Sequence, residues 1–355
     1  MTGAAPEPGR DSEPGRYTRR GLLERQAALG AGALASSALL GGLAPGPAAA
    51  DPGLALHPQF YPLPGFTPEI DLHGKVAVIT GASTGIGLEA GKALAARGVR
   101  VIGTSRDAAS VRRRPAFPLL DLDVADPKSI SAFAGKVKRR LGPKGHVDIL
   151  INNAGRGIVG TVLPPAGGER RYFERLDLGF RTDYAGHLLV TRALLPLLPP
   201  SGYARVCFTT SIVAYTVSTG ALTYLHAYTA MKRALLASAN AWRATLERTG
   251  SHIGVTTLSP YVVNTRFPDN FILTEPAPRG SALAQQVSLL RTAFRAGLPS
   301  SLAGTAYWQL LSTRRPPANA AAGSAAEPYA TMGTNQLTAA TILGENDQAA
   351  IRFGG

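Results

Sequence analysis

Apolar residues in this chain come in short unbroken runs separated by longer amphipathic stretches. Val76-Ala77-Val78-Ile79 is apolar at every position, as in a strand buried on both faces. Comparable runs at 99–103, 117–122, 147–151, 205–210 and 252–259 predict further strands. Between them, helical periodicity predicts helices over 88–97, 127–141, 169–198 and 224–248. Strands alternating with helices predict an α/β fold, a doubly wound parallel sheet in one domain. Right-handed crossovers then bring a ligand to the carboxyl ends of the strands. No internal repeat interrupts the alternation.

The first turn after a strand carries chemistry. Gly81-Ala82-Ser83-Thr84-Gly85-Ile86-Gly87 lies between the first predicted strand and the first predicted helix, and a second strand follows. That is the setting a dinucleotide fingerprint requires, so the sheet is of the Rossmann type. Gly81 allows the tight turn, while Gly85 and Gly87 let backbone amides and the helix N-terminus approach a pyrophosphate. Cofactor choice falls to the end of the second strand, where NAD users place a carboxylate for the ribose 2′-hydroxyl. Here the chain reads Thr104-Ser105-Arg106, with Asp107 one position beyond. Ser105 and Arg106 suit a 2′-phosphate, which favours NADP(H) over NAD(H). A solvated surface charge is the plainer reading of Arg106.

Composition limits the partners. With 45% hydrophobic and 17% charged residues, the 355-residue chain can bury a sizeable core. The 37 basic against 23 acidic residues, a net charge of +14, raise nucleic acid or an anionic membrane as partners. The arginines are scattered, however, with no basic stripe interleaved with aromatics, and no nucleic acid is expected. The single cysteine, Cys207, excludes an internal disulfide and a cysteine-based metal cluster; no metal is expected. Its apolar neighbours place it in the core.

The first fifty residues have the layout of an export signal. Tyr17-Thr18-Arg19-Arg20-Gly21-Leu22-Leu23 is followed by a mildly apolar stretch from Ala27 to Leu43, then Pro45-Gly46-Pro47 and Ala48-Ala49-Ala50. The paired arginines resemble a twin-arginine signal, so residues 1–50 are expected to direct export, with cleavage near Ala50. An uncleaved anchor would instead tie the protein to a membrane. A plain Ala-rich extension, and with it a cytoplasmic protein, is the alternative. Residues 51–68, rich in proline, read as a linker to a domain spanning 69–355.

Five motifs in order give the chain a resemblance to the short-chain dehydrogenase/reductase family, in its compact single-domain branch, over about residues 69–315. They are Thr80-Gly81-x-x-x-Gly85-Ile86-Gly87, Asp123-Val124, Asn152-Asn153-Ala154-Gly155, Tyr228-x-x-x-Lys232 and Pro260-Tyr261-Val262-Val263-Asn264-Thr265. The resemblance implies that Ser83, Thr84, Asp123, Val124, Asn153, Ala154, Gly155, Pro260, Val263 and Thr265 help hold the dinucleotide. Thr84 stands where many NADP users of the family carry a basic residue. The family also implies a homodimer or homotetramer through two long helices.

The resemblance implies hydride transfer between the nicotinamide and a small-molecule alcohol or carbonyl substrate. Tyr228 would exchange the proton, Lys232 would lower its pKa and hold the nicotinamide ribose, and Ser211 would bind the substrate oxygen. Tyr228 and Lys232, four apart on a helix, share one face. A phenol ordinarily ionises near pH 10, so about 4 kcal/mol of differential stabilisation is needed to make it a base at neutrality. The family's usual serine-to-tyrosine spacing lands on Tyr224, which has no lysine four residues on. A short insertion within 215–226 is therefore inferred, with Ser218 as the weaker alternative to Ser211.

Two positions depart from the family. Asp183, in Thr182-Asp183-Tyr184-Ala185-Gly186, replaces the usual asparagine, the fourth catalytic member; it either keeps that role or is a helix-stabilising polar residue. Tyr261 replaces a glycine. The lid segment, about 266–302, carries Phe267, Phe271, Ile272, Leu273, Leu289, Leu290 and Phe294, which suit a hydrophobic substrate or else serve as core or oligomer contacts. Residues 314–355 read as irregular, with an edge strand near 329–332. A non-catalytic NADP(H)-binding sensor or scaffold is the alternative function.

Overall fold

The computed structural model describes residues 59–163, 167–200, 202–215 and 220–323. The strands are β1 (Gln59–Tyr61), β2 (Val76–Ile79), β3 (Arg100–Ser105), β4 (Leu119–Asp121), β5 (Ile149–Asn152), β6 (Ile158–Val159), β7 (Ala204–Thr209), β8 (Ile253–Pro260), β9 (Ile272–Leu273) and β10 (Asn319–Ala322). Eight of them form one wholly parallel sheet in the order β1-β10-β8-β7-β5-β2-β3-β4. After the edge strand β1, the chain enters the middle of the sheet at β2, runs outward through β3 and β4, and returns to build the other half from β5. The order therefore reverses between β2 and β5, where a crevice opens at the carboxyl ends.

The helices are α1 (Gly85–Ala95), α2 (Pro127–Leu141), α3 (Glu169–Phe180), α4 (Gly186–Leu194), α5 (His226–Arg248), α6 (Ala282–Arg295) and α7 (Ser300–Leu311). Period-two alternation along the strands divides the core into two layers. Ala77, Ile79, Ile149, Ile151, Cys207 and Leu258 pack with Leu94 of α1 and Ala303, Tyr307 and Leu310 of α7. On the opposite face, Val78, Leu150, Val206 and Phe208 pack with Phe133 and Val137 of α2, Val190 and Leu194 of α4, and Leu235 of α5. Helix α2 matches its expected bounds because its ends are encoded locally. The Asp126 side chain accepts the Lys128 amide, Pro127 opens the first turn, and Gly142 follows at φ 74°.

Several elements differ from the expectations. Residues 59–61, within the stretch expected to be a linker, form β1 and pair with Gln59 opposite Ala320. Tyr61 is 1% exposed, and Leu63 exchanges two hydrogen bonds with the Gln309 amide, at 2.6 and 3.0 Å. The prolines of this stretch obscure any period, yet β1 covers what would otherwise be the open edge of β10. Strand β10 itself lies in a stretch expected to be irregular. Its alanines give no pattern, and it is fixed by burial between β8 and β1. The edge strand expected near 329–332 lies outside the described residues. The strand expected at 117–122 shortens to β4, because Pro118 has no amide for the ladder and Phe117 turns into the core against α1. The helix expected over 169–198 is interrupted at Arg181–Ala185 by one π-helical turn and ends in a 3₁₀ turn, Leu195–Leu197.

If β1 is an integral strand, Tyr61→Ala removes a large buried side chain and should cost about 3 kcal/mol of stability. A thermal-unfolding midpoint equal to that of the wild type would show that the folded unit does not include β1.

Candidate active site

A single hydroxyl joins the two loops that flank the crevice. Thr80, at the end of β2, accepts the main-chain amides of Asn153 and Ala154 on Oγ1 at 2.8 and 2.9 Å. The Asn153 side-chain amide returns a bond to the Thr80 carbonyl at 3.0 Å. The backbones come close enough here to require glycine. Gly81 has φ +66°, and a Cβ on it would lie 2.9 Å from Ala154 Cα. A Cβ on Gly87 would lie 2.5 Å from the Gly81 carbonyl oxygen. Thr104 Oγ1 accepts the Gly81 amide at 3.1 Å and ties the loop to β3.

A cavity of about 440 Å³ opens over these loops. It brings together Gly81, Ser83, Thr84, Gly85, Ile86, Ser105, Arg106, Asp123, Val124, Asn153, Ala154, Gly155, Ser211, Tyr228, Lys232, Pro260, Val263 and Thr265. Two of the residues selected from the sequence do not line it. Gly87 is buried beneath the loop, and Asp183, fully enclosed, lies behind Gly155. Ser218 lies outside the described residues, as do its neighbours 216, 217 and 219 within the inferred insertion. Tyr224 packs in a separate apolar cluster with Val159 and Leu222 and is not part of the cavity wall.

The cavity wall fits a dinucleotide. At the start of α1, Thr84 is extended and makes no side-chain cap bond, and no acidic residue occupies the first turn. The helix's first amides are thus left for an anion. At the far end, no carboxylate follows β3 into the cavity. Asp107 turns back to accept the Ser110 amide at 3.0 Å, while exposed Arg106 lines the wall. Asp123 accepts the Ala125 amide at 2.9 Å, and this bond fixes the loop that follows β4.

The residues expected to be catalytic gather where α5 begins. Tyr228 is the third residue of α5 and Lys232 follows one turn later, so both face β7. Ser211 lies just beyond β7 on the same cavity wall as Tyr228. Burial and the nearby Asp183 carboxylate push the Tyr228 phenol well above its ordinary range, and the Ser211 hydroxyl pulls it down. Lys232 Nζ donates to the Thr209 carbonyl at 3.2 Å and lies 3.5 Å from Asp183 Oδ1.

The π-helical turn carries Asp183, widening the backbone at that point, as such turns often do at functional sites. Its two carboxylate oxygens accept the Arg156 amide at 3.0 and 3.2 Å. Burial raises the carboxyl to about 6 against the pull of Lys232 and the Arg156 amide. Burial likewise lowers the Lys232 ammonium, and Asp183 opposes that. A Cβ on Gly155 would meet Asp183 Oδ1 at 2.7 Å, so the glycine of the Asn-Asn-Ala-Gly motif makes room for the carboxylate.

Two further residues at the site were not picked out in the sequence. His187, one turn after Asp183, is buried with Nε2 2.8 Å from the Ala154 carbonyl, and burial lowers it to about 3, so it stays neutral. Arg156 lines the cavity and its Nε donates to the Asn270 carbonyl at 3.0 Å. Its signal was a lone cation directly after the glycine of the Asn153 loop. The lid is joined to this same segment: β6 pairs with β9, and the Ile272 amide donates to Gly157 O at 2.7 Å. Of the lid residues named above, Phe267, Phe271, Leu290 and Phe294 line the cavity, whereas Ile272, Leu273 and Leu289 do not. Phe267 lies 5.8 Å from the Tyr228 ring and 5.6 Å from Phe294, centroid to centroid. Tyr261 also lines the cavity.

Known proteins resemble this chain in sequence and fold. A dehydrogenase/reductase SDR family protein 7-like of Drosophila melanogaster is 32% identical over 214 residues, which is 56% of this chain and 60% of that protein. A 1-deoxy-11-beta-hydroxypentalenate dehydrogenase of Streptomyces exfoliatus is 32% identical over 226 residues, 61% of this chain and 76% of that protein. The crystal structure of a short-chain dehydrogenase from Streptomyces avermitilis superposes with a TM-score of 0.59 at 26% identity, over 79% of this chain and 94% of that one. The sequence profile for short chain dehydrogenases matches residues 75–275, and the chain belongs to that family of oxidoreductases.

Proposed function

We propose that this protein transfers hydride between NADP(H) and a hydrophobic alcohol or carbonyl compound. The observation that carries the reading is the convergence of Ser211, Tyr228 and Lys232 in one cavity with the uncapped start of α1. A bound nicotinamide would supply or accept the hydride. Ser211 orients the substrate oxygen, and Tyr228 gives it a proton or takes one from it. Lys232, one turn along α5, stabilises the charge that this leaves on the phenol. The start of α5, where the helix dipole is positive, acts in the same sense.

Arg106 in the cavity wall, with Asp107 turned away, supports NADP(H) over NAD(H). The cluster of Phe267, Phe271 and Phe294 beside Tyr228 excludes water and supports an apolar substrate. Exposed Phe173 and Phe180 on α3 and Leu189 on α4 support pairing of copies through these helices. Residues 1–50 lie outside the described residues, and their sequence supports export.

Titration of the purified protein with NADPH and NADH should show tighter NADPH binding. Arg106→Ala should weaken NADPH by about tenfold, the loss of one charge-assisted contact, and leave NADH nearly unchanged. Binding of neither nucleotide would sink the oxidoreductase reading and leave the scaffold alternative. In a screen of apolar ketones and alcohols, Tyr228→Phe should lower turnover by about 10²- to 10⁴-fold.

Export is tested by fractionating cells that express the full chain. The protein should leave the cytoplasm with an N-terminus near residue 51, and replacing Arg19 and Arg20 by lysine should retain it. An unprocessed wild-type chain in the cytoplasm would overturn the export reading.

A further inference from the structure

Asp183 changes the charge count beside the phenol. An asparagine in its place would leave the Lys232 ammonium as a buried, uncompensated positive charge one helical turn from Tyr228. With an ionised aspartate, the same volume holds an ion pair of zero net charge. The two side chains lie 3.5 Å apart, 3% and 0% exposed, so water screens their interaction little.

Of the surrounding groups, Arg156 adds positive charge, and its pull on the carboxylate is the smallest of those acting there. On α5 the carboxylate faces Lys232 and Tyr228. Arg156 offers it a backbone amide, and its guanidinium, whose Nε donates to the Asn270 carbonyl, attracts the carboxylate more weakly than Lys232 does. From α4 it faces His187, held neutral by burial, and from β7 the Thr209 carbonyl takes one of the ammonium's protons. On α3, Asp177 is paired at the surface with Arg181 at 2.7 Å, and Arg175 acts on Arg156 rather than on Asp183.

We infer that Asp183 is a positioning residue that acts through Lys232 to keep Tyr228 a neutral phenol, suiting the site to carbonyl reduction near neutral pH. The inference rests on the oxidoreductase reading above. In reduction, a carbonyl carbon gains hydride from the reduced nicotinamide and its π pair moves to oxygen. That oxygen takes the Tyr228 proton, leaving an alcohol and oxidised cofactor, and solvent returns a proton to the phenolate. A neutral phenol is ready for this step at any ordinary pH. Alcohol oxidation needs the phenolate at the outset, and Asp183 moves its formation to higher pH. The overall equilibrium belongs to the substrates; Asp183 sets the pH range in which each direction runs.

The test is a pH titration of tyrosinate absorbance on the full chain, comparing wild type and Asp183→Asn, each with its Tyr228→Phe counterpart to isolate Tyr228. In the wild type, Tyr228 should ionise above the ordinary tyrosine value of about 10. Asp183→Asn should lower that ionisation by about 1–3 pH units, and the alkaline rise of alcohol oxidation should move with it. An unchanged or higher Tyr228 titration in Asp183→Asn would overturn the inference. If that variant does not fold, the wild-type difference spectrum decides, since ionisation at or below about 10 is incompatible with the inference. Failure to bind NADPH would remove the oxidoreductase reading but leave the titration readable, so the two failures are separable.

Discussion

Two neighbouring strands of a parallel sheet must end in loops that stand apart for a ligand and yet stay locked together. Thr80 meets both demands, since its hydroxyl oxygen has two lone pairs and each takes one amide of the facing loop. Without it, the half-buried amides of Asn153 and Ala154 would need another acceptor. Gly81 and Gly87 follow from this contact, because side chains there would push the loops apart. The position of α1, the placement of Gly155 and the depth of the crevice all inherit that spacing.

Behind the crevice, a buried cation and a buried carboxylate cost several kcal/mol each to desolvate. The fold accepts that cost at a site where every visible compensation is in place. Asp183 receives an amide and an ammonium, and Lys232 also donates to a carbonyl. Both partners are nevertheless displaced toward their neutral forms by burial. Well-packed apolar residues would make a more stable core, so the pair is better understood through the proton chemistry beside it.

The fold was legible wherever local signals were sufficient. Runs such as Val76–Ile79 and the capped helix α2 carry their own period and ends, and the glycine loop sits in a strand–turn–helix setting. Elements defined by neighbours were not legible. Strand β10 is four small residues whose only cause is the space between two other strands. The π-helical turn has no compositional mark; it coincides with the bond between Asp183 and the Arg156 amide. At the site, the motifs supplied the cofactor loop and the Tyr228–Lys232 pair. Arg156 and His187 escaped because their roles come from distant backbone groups, the carbonyls of Asn270 and Ala154.

Cys207 sits in the middle of β7 with no exposed surface, in a sheet covered by helices on both sides. Burial raises its thiol far above the ordinary range, so it does not supply the thiolate that oxidants and disulfide exchange attack. As the chain's one cysteine, it is also the one thiol through which a disulfide state could change. The fold therefore carries no thiol-based record of its surroundings, and crossing from a reducing to an oxidising compartment leaves its covalent structure as it was.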